Sequence, residues 1–316
     1  MTVLIVATAA GVVQAIGVAT AWSSIDRLPV TTDSTTTTTA GSPNASGATN
    51  TSPPPSVVAF VGSDSREGLD DLDDFGTFDG QRADVIMLAI RREADIGLLS
   101  IPRDLYVEDT CDGGRHRIAD AFQGCDDRNG LASLVADLET LTGLNIDHAV
   151  AVDLAGFQEV VDAIGGYEIC TDHALRDEES GLNLDTGCTV ADGETTLQWL
   201  RSRQTERQVD GTWEVVPGVS DLERNERQRQ FLIDMLHRQS ARSGPTAILA
   251  TLRSVAPYLT IDETLSLSDA VGWVWDFRTS EVRTAELPVT ADTTSGGAYV
   301  LTPTVDVPDF VSGIPA

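Results

Sequence analysis

Arg82-Ala-Asp-Val-Ile-Met-Leu-Ala-Ile-Arg-Arg-Glu-Ala-Asp-Ile-Gly-Leu-Leu-Ser-Ile-Pro-Arg-Asp104 holds two apolar runs, Asp84 to Ile90 and Ile96 to Ile101, split by a charged five-residue turn. Runs this short, bounded by charged and turn residues, read as buried strands rather than helices. Their short connection predicts an antiparallel hairpin. In such a hairpin the residue just before one strand lies beside the residue just after its partner, so Arg82 and Asp84 are expected next to Arg103 and Asp104. Upstream, Val57 to Gly62 is another apolar run, ending in Gly-Ser-Asp-Ser-Arg. If it pairs antiparallel with the 84–90 strand, the loop carrying Asp64 and Arg66 opens at the same end of the sheet, where ligands commonly bind. An ordinary solvated sheet rim gives the same pattern.

Farther outward, helices are expected at 130–142, 154–164, 221–240 and 267–276, and strands near 147–153, 166–171, 197–203 and 282–288. Gly165-Gly166 is a C-cap signal for the second helix. Strands and helices alternate without internal repeat, which predicts an α/β fold built on a central mixed sheet. Read as a strand, Leu197-Gln-Trp-Leu-Arg-Ser-Arg203 puts Trp199, Arg201 and Arg203 on one face. Neighbouring guanidinium groups repel unless an anion sits between them; an exposed edge with solvated arginines is the alternative. In the helix from Asp221, the stripe of Phe231, Leu232 and Met235 runs back through Gln228, Arg224 and Asp221. That pattern turns polar residues toward the core in the first turns. Arg224 then needs a carboxylate or a bound anion, and Asp221 could be that partner.

The chain divides into three regions by composition. Val3 to Trp22 is about 20 mostly apolar residues, long enough to cross a bilayer, so residues 1–25 are expected to form a transmembrane signal anchor, with a cleaved signal peptide as the rival. Residues 26–56, rich in Thr, Ser and Pro, are expected to form a disordered linker. Residues 57–316 are expected to form the functional domain. With 49 acidic against 21 basic residues the net charge is -28, which disfavours nucleic acid as a partner. Any anion must be held by a local cluster. Every basic residue is arginine, which removes Schiff-base and P-loop lysine chemistry and leaves the planar fork that suits phosphate oxygens.

Cys111, Cys125, Cys170 and Cys188 show no zinc-ligand spacing. In an exported protein the simplest of three connectivities is Cys111 with Cys125 and Cys170 with Cys188; four buried thiols are the other reading. His116, His148, His173 and His237 are scattered, and nucleophile-elbow, dinucleotide and Walker motifs are all absent. What remains is carboxylates and arginines, the set used for phosphoryl transfer with a divalent metal.

An ordered series of segments resembles the LytR-CpsA-Psr family of cell-wall ligases. The series comprises Gly62-Ser-Asp-Ser-Arg66, Arg82-Ala-Asp-Val-Ile-Met-Leu88, Ser100-Ile-Pro-Arg-Asp-Leu105, Leu144-Asn-Ile-Asp-His148, Val152-Asp-Leu154, Ile164-Gly-Gly166, Leu197 to Arg203, and Asp221-x-x-Arg224-x-x-Arg227-Gln228. The resemblance implies a three-layer α-β-α fold with an apolar tunnel for a polyprenyl chain. It implies a Mg²⁺-dependent phosphotransferase on the outer side of the cell membrane, moving a glycopolymer from undecaprenyl pyrophosphate to peptidoglycan through a phosphodiester. By motif position Asp64 and Asp84 correspond to metal ligands. Arg82, Arg103, Arg117, Arg201, Arg203, Arg224 and Gln228 correspond to contacts with the pyrophosphate, and Asp84, Arg103, Arg201 and Arg203 form the expected catalytic set. The family often has Lys-Ile-Asn where this chain has Arg117-Ile-Ala119, and tyrosine at the place of Trp199. The gap between Arg203 and Asp221 is longer than usual and points to an insertion near Trp213. A non-catalytic binder of polyprenyl phosphates would need the arginines but not a pair of metal carboxylates; a pyrophosphatase would use the same site with water as acceptor.

Overall fold

The computed structural model describes residues 17–30, 54–63, 82–93, 95–216, 227–228, 230–231, 233–235 and 252–314. Asp64, Arg66, Asp221 and Arg224 lie outside the described residues, as do residues 1–16 of the expected anchor and most of the expected linker. Seven strands form the central sheet: β1 (Asp26–Leu28), β2 (Ser56–Ser63), β3 (Ala83–Arg92), β4 (Asp95–Ile101), β5 (His148–Val152), β6 (Leu259–Asp262) and β7 (Val282–Glu286). Their order is β1-β6-β5-β2-β3-β4-β7. The β2–β3, β3–β4 and β5–β6 pairs are antiparallel and the β1–β6, β2–β5 and β4–β7 pairs parallel, so the sheet is mixed as expected. The expected hairpin closes between Arg92 and Asp95, with Glu93 in the left-handed region at φ 53°.

Because side chains alternate across a strand, each central strand feeds two cores. Val57, Ala59, Val61, Ile86, Leu88, Ile90, Leu99 and Ile101 face one side. There they meet Leu131, Leu134, Val135 and Leu138 of α1 (Gly130–Thr142). Asn129 caps α1 by accepting from Ala132 N at 2.9 Å, and Gly143 ends it at φ 69°. On the opposite side Val58, Ala89, Ile96 and Leu98 pack against Trp273 and Phe277, which come from a helix at Leu267–Thr279. These are the three layers.

A third apolar cluster lies beyond the sheet. It joins α2 (Leu154–Ala163), α3 (Gly193–Arg201) and the helical residues Phe231 and Met235, through Val161, Tyr167, Ile169, Leu182, Leu184 and Leu200. Gly165 and Gly166, at φ 87° and 86°, turn the chain out of α2 as their pairing in sequence implied. A Cβ on Gly166 would stand 2.6 Å from Ala191 O, so this turn requires glycine. Both disulfides join the expected partners, Cys111 to Cys125 and Cys170 to Cys188. The second links directly opposed residues of strands Tyr167–Thr171 and Gly187–Ala191.

Two expectations change. Residues 26–28, read as the start of the linker, form edge strand β1, and Arg27 Nη1 donates to Leu265 O at 3.2 Å. Three polar-led residues carry no strand periodicity of their own; pairing with β6 and burial of Ile25 beside Ala256, Ile261 and Leu265 hold them there. The domain therefore includes residues before 57. The second change is at 197–203, expected as a strand: residues through Arg201 belong to α3. The deciding signal lies just upstream, where Asp192 accepts from Thr195 N at 2.9 Å and caps the helix. Thr196, Leu197 and Leu200 are its buried face, a helical spacing that the seven-residue window was too short to distinguish from a strand. No described helix is long and apolar enough to cross a membrane; residues 17–23 are helical.

Leu88 is fully buried at the sheet centre. Leu88→Ala should lower the unfolding free energy by about 2–5 kcal/mol, read as a lower denaturant midpoint with unchanged slope. A loss within experimental error would show that the packing around β3 is not as described.

Candidate functional site

The open end of the β3–β4 hairpin carries the first part of the site. Asp84 is the second residue of β3 and Arg103 follows β4, so hairpin register brings them together, with Arg103 Nη1 donating to Asp84 Oδ1 at 2.5 Å. Pro102 ends β4, and two backbone bonds then clip the next segment to the hairpin: Ile118 N to Leu105 O at 2.8 Å and Ala119 N to Arg103 O at 3.1 Å. This clip delivers Arg117 from the short strand Arg115–Arg117, which pairs with Tyr106–Glu108. Arg117 donates from Nε and Nη2 to Tyr299 O at 3.1 and 2.9 Å. Asp104 lies between two arginines, 3.6 Å from both Arg103 Nε and Arg117 Nε. Arg82 Nε donates to Asp120 Oδ1 at 3.0 Å. Guanidinium and carboxylate groups thus alternate along this rim, an arrangement that offsets repulsion among the arginines.

The second part sits at the C-terminal end of α3. Arg201 is its last residue, Ser202 leaves the helix at ψ 126°, and Arg203 follows in an exposed turn. The helix C-terminus presents carbonyls that favour a cation, and Arg227 supplies one. Its Nη1 donates to Trp199 O at 2.7 Å and its Nη2 to Ser202 O at 2.6 Å. Gln228, the next residue, lines a small cleft with Asp84, Ile86, Ser100, Pro102 and Arg103. Adjacent residues of one helical segment therefore touch the arginine turn and the hairpin end, which brings the two parts of the site together. The face predicted for this segment holds where it is described, with Phe231 and Met235 buried and Gln230 exposed.

Of the residues singled out from sequence, Arg82, Asp84, Arg103 and Arg117 lie along the hairpin rim, Arg201 and Arg203 at the end of α3, and Gln228 in the cleft beside Asp84 and Arg103. Arg201 and Arg203, expected on one strand face, instead flank a helix terminus. Ala119 is buried and packs its methyl where the related pattern has an amide. For a divalent cation, Asp84 offers a hard oxygen donor on a partly exposed side chain, with only Oδ1 engaged among the described residues.

Beside Arg117 stands a group that sequence reading left without a role. His116 Nε2 lies 2.6 Å from Asp137 Oδ2, and Nδ1 lies 3.2 Å from Asp109 Oδ2. Asp137, buried, also accepts at Oδ1 from Thr110 N at 3.0 Å and Thr110 Oγ1 at 2.7 Å. The hydrogen bond to Asp137 raises the His116 pKa above the ordinary value; burial opposes this, and the charges of Asp137, Asp109 and Asp120 add to it. The three side chains are near enough to share a cation. The His116–Asp137 contact ties the Arg117 strand to α1.

The model of the LytR_cpsA_psr family matches residues 27–308. The chain belongs to this family. LcpB of Corynebacterium glutamicum, described as a probable cell wall biosynthesis protein, is 32% identical over 203 residues, 62% of this chain and 44% of LcpB. TagU of Oceanobacillus iheyensis, a polyisoprenyl-teichoic acid–peptidoglycan teichoic acid transferase, is 32% identical over 178 residues, 55% of this chain and 48% of TagU. The chain thus spans about half the length of these LytR-CpsA-Psr relatives. Among solved structures, a LytR-Csp2A-Psr enzyme from Actinomyces oris superposes with a TM-score of 0.62 at 22% identity, covering 81% of this chain and 88% of that one. TagT bound to LI-WTA gives 0.58 at 21% identity, covering 82% and 88%. The mixed α/β fold is that of LytR-CpsA-Psr structures.

Asp120, Asp137 and Asp177 were not picked out from sequence. Asp120 and Asp137 partner residues 38 and 21 positions away, and no local pattern marks such partners. Because the His116 pKa is raised in the folded protein, its contact with Asp137 contributes stability that is fully present below the unfolded histidine pKa and is lost as pH rises through the folded value. The stability difference between wild type and His116→Gln should therefore shrink from acid to alkaline pH. A difference that does not vary with pH would show that the ring is neutral in the folded protein.

Proposed function

We propose that this chain is an extracytoplasmic, membrane-anchored phosphotransferase that moves a glycopolymer from a polyprenyl pyrophosphate carrier to peptidoglycan. The observation that carries this reading is the convergence of an arginine rim, Arg82, Arg103 and Arg117, with the Arg201–Arg203 turn through Arg227 and Gln228. Family membership and the transferase names of its relatives support it. So do two disulfides, which suit an oxidising compartment, and the apolar run Val3 to Trp22, which would anchor the chain.

In this reading Arg82, Arg103, Arg117, Arg201, Arg203, Arg224 and Gln228 hold the pyrophosphate oxygens. Arginine forks supply paired charge-assisted bonds where a bulk negative protein surface would repel the substrate. Trp199, Tyr167 and Phe231 make tilted and edge-to-face contacts, with ring centroids 5.9 and 5.0 Å apart, in the apolar cluster beside the turn, where a prenyl chain would find apolar neighbours. Asp84, with Asp64, would hold Mg²⁺. Such an ion, when bound, withdraws charge from the phosphoryl oxygens. The acceptor hydroxyl oxygen bonds to the phosphorus attached to the glycan. The bond from that phosphorus to the bridging oxygen breaks, and polyprenyl phosphate leaves, its charge held by the arginines, with the hydroxyl proton carried off by the phosphate monoester.

Arg203→Ala should remove one or two charge-assisted hydrogen bonds, each worth roughly 1.5–3 kcal/mol, and so reduce transfer tenfold or more. Arg203→Lys should restore it only in part, since an ammonium is a point donor. The assay is transfer from a lipid-pyrophosphate oligosaccharide to peptidoglycan fragments, with folding monitored separately. Asp84→Ala should abolish transfer, as should a chelator. Undiminished transfer by both alanine variants would overturn the roles given to Arg203 and Asp84; binding of the lipid pyrophosphate with no transfer by the wild type would reduce the protein to a binder of polyprenyl phosphates, and release of free glycan phosphate without transfer would make it a pyrophosphatase.

A further inference from the structure

Asp177 ends a short strand, Leu175–Asp177, in a small four-stranded sheet apart from the arginine rim. It is 2% exposed, an uncommon place for a carboxylate, and five donors satisfy it. Oδ2 accepts from Ser202 Oγ at 2.6 Å, Arg203 N at 2.9 Å and Gln204 N at 2.9 Å. Oδ1 accepts from Glu179 N at 2.9 Å and Ser180 N at 3.3 Å. The first three are the residues at which the chain leaves α3 and presents Arg203. Ser202 is fully buried and its hydroxyl also meets Thr205 Oγ1 at 2.5 Å.

On the opposite side of the same turn, Arg227 takes the Trp199 and Ser202 carbonyls. The turn is therefore clamped from its amide side by an anion and from its carbonyl side by a cation, and neither contact uses the Arg201 or Arg203 side chain. The residue before Asp177 locks the strand in place: Arg176 pairs with Glu206 at 2.6 Å and lies over the Trp213 ring at 4.4 Å. The hairpin of Glu206–Val209 with Thr212–Val215 is thereby part of the same support.

We propose that Asp177 is a positioning residue for pyrophosphate binding, fixing the backbone of the turn from which Arg203 is presented. The proposal rests on the reading that Arg203 grips the pyrophosphate. Burial alone would raise the Asp177 pKa; the Ser202 hydroxyl and the amides of Gln204, Ser180 and Glu179 outweigh it and hold the value below the ordinary carboxylate range. The charged form is therefore the working form at neutral pH. Asparagine is nearly the same size but cannot replace it. Its amide nitrogen must face either the Ser202, Arg203 and Gln204 donors or the Glu179 and Ser180 donors, so at least two N–H groups lose their acceptor.

The test is a double-mutant cycle on the full chain in detergent, with farnesyl pyrophosphate binding followed by calorimetry and unfolding followed in parallel. Asp177→Asn should weaken binding roughly ten- to hundredfold, the range expected when a positioned group is displaced. In an Arg203→Ala background the same substitution should change binding by less than about twofold, because the group it positions is gone. A merely structural Asp177 would lower stability and weaken binding by the same factor in both backgrounds, which would overturn the proposal. Wild-type binding by Asp177→Asn beside weakened Arg203→Ala would do so too. Undiminished binding by Arg203→Ala would instead remove the underlying reading. Should Asp177→Asn fail to fold, Ser202→Ala takes its place: a several-fold loss absent in the Arg203→Ala background supports the proposal, and wild-type binding by Ser202→Ala overturns it.

Discussion

Gathering several guanidinium groups on one rim is the constraint on which this molecule turns. Two such charges about 5 Å apart, at an effective dielectric near 20, repel by roughly 3 kcal/mol. A fold that presents them must supply opposing charge. Here the carboxylates of Asp84, Asp104 and Asp120 stand between or behind Arg82, Arg103 and Arg117. At the second cluster the repulsion is managed through the backbone: a buried carboxylate takes the amides of the turn and Arg227 takes its carbonyls.

Rigidity follows from the same arrangement. The hairpin that sets Asp84 against Arg103 is buried on both faces, between α1 on one side and Trp273 and Phe277 on the other. A slip of one residue in its register would turn Leu88 and Leu99 into the opposite core and separate the ion pair. The backbone clip from Ile118 and Ala119 then ties Arg117 to the same hairpin. Beneath it the His116–Asp137 bridge fastens the Arg117 strand to α1. Core packing and site geometry are thus one structural commitment.

The reading of Leu197 to Arg203 shows where local pattern stops being informative. Trp199, Arg201 and Arg203 alternate as a strand would, yet Thr196, Leu197 and Leu200 are the buried set. Periods of 2 and 3.6 coincide over so short a window, and the cap that decides between them, Asp192, stands outside it. Asp26–Leu28 failed for the opposite reason: three residues of weak strand character become a strand because β6 offers an unpaired edge and Ile25 finds a pocket. The disulfide couples were legible because close sequence spacing makes local closure the simplest pairing.

By itself the sequence determined the elements whose apolar period is strong and whose ends are marked: the hairpin, β2, α1, α2 with its double glycine, and the two cysteine couples. It also supplied the ingredients of the candidate site, since in a chain with no lysine arginine is the side chain that offers a permanently charged donor fork. Only the tertiary structure decided which carboxylate answers which arginine. Asp120 for Arg82, Asp137 for His116 and Asp177 for the Arg203 turn are each set by contacts 20 or more residues apart. A carboxylate in sequence carries no mark of the donor it will meet. The low dielectric of a folded interior makes that choice costly to leave unmade, and only there does it acquire a single answer.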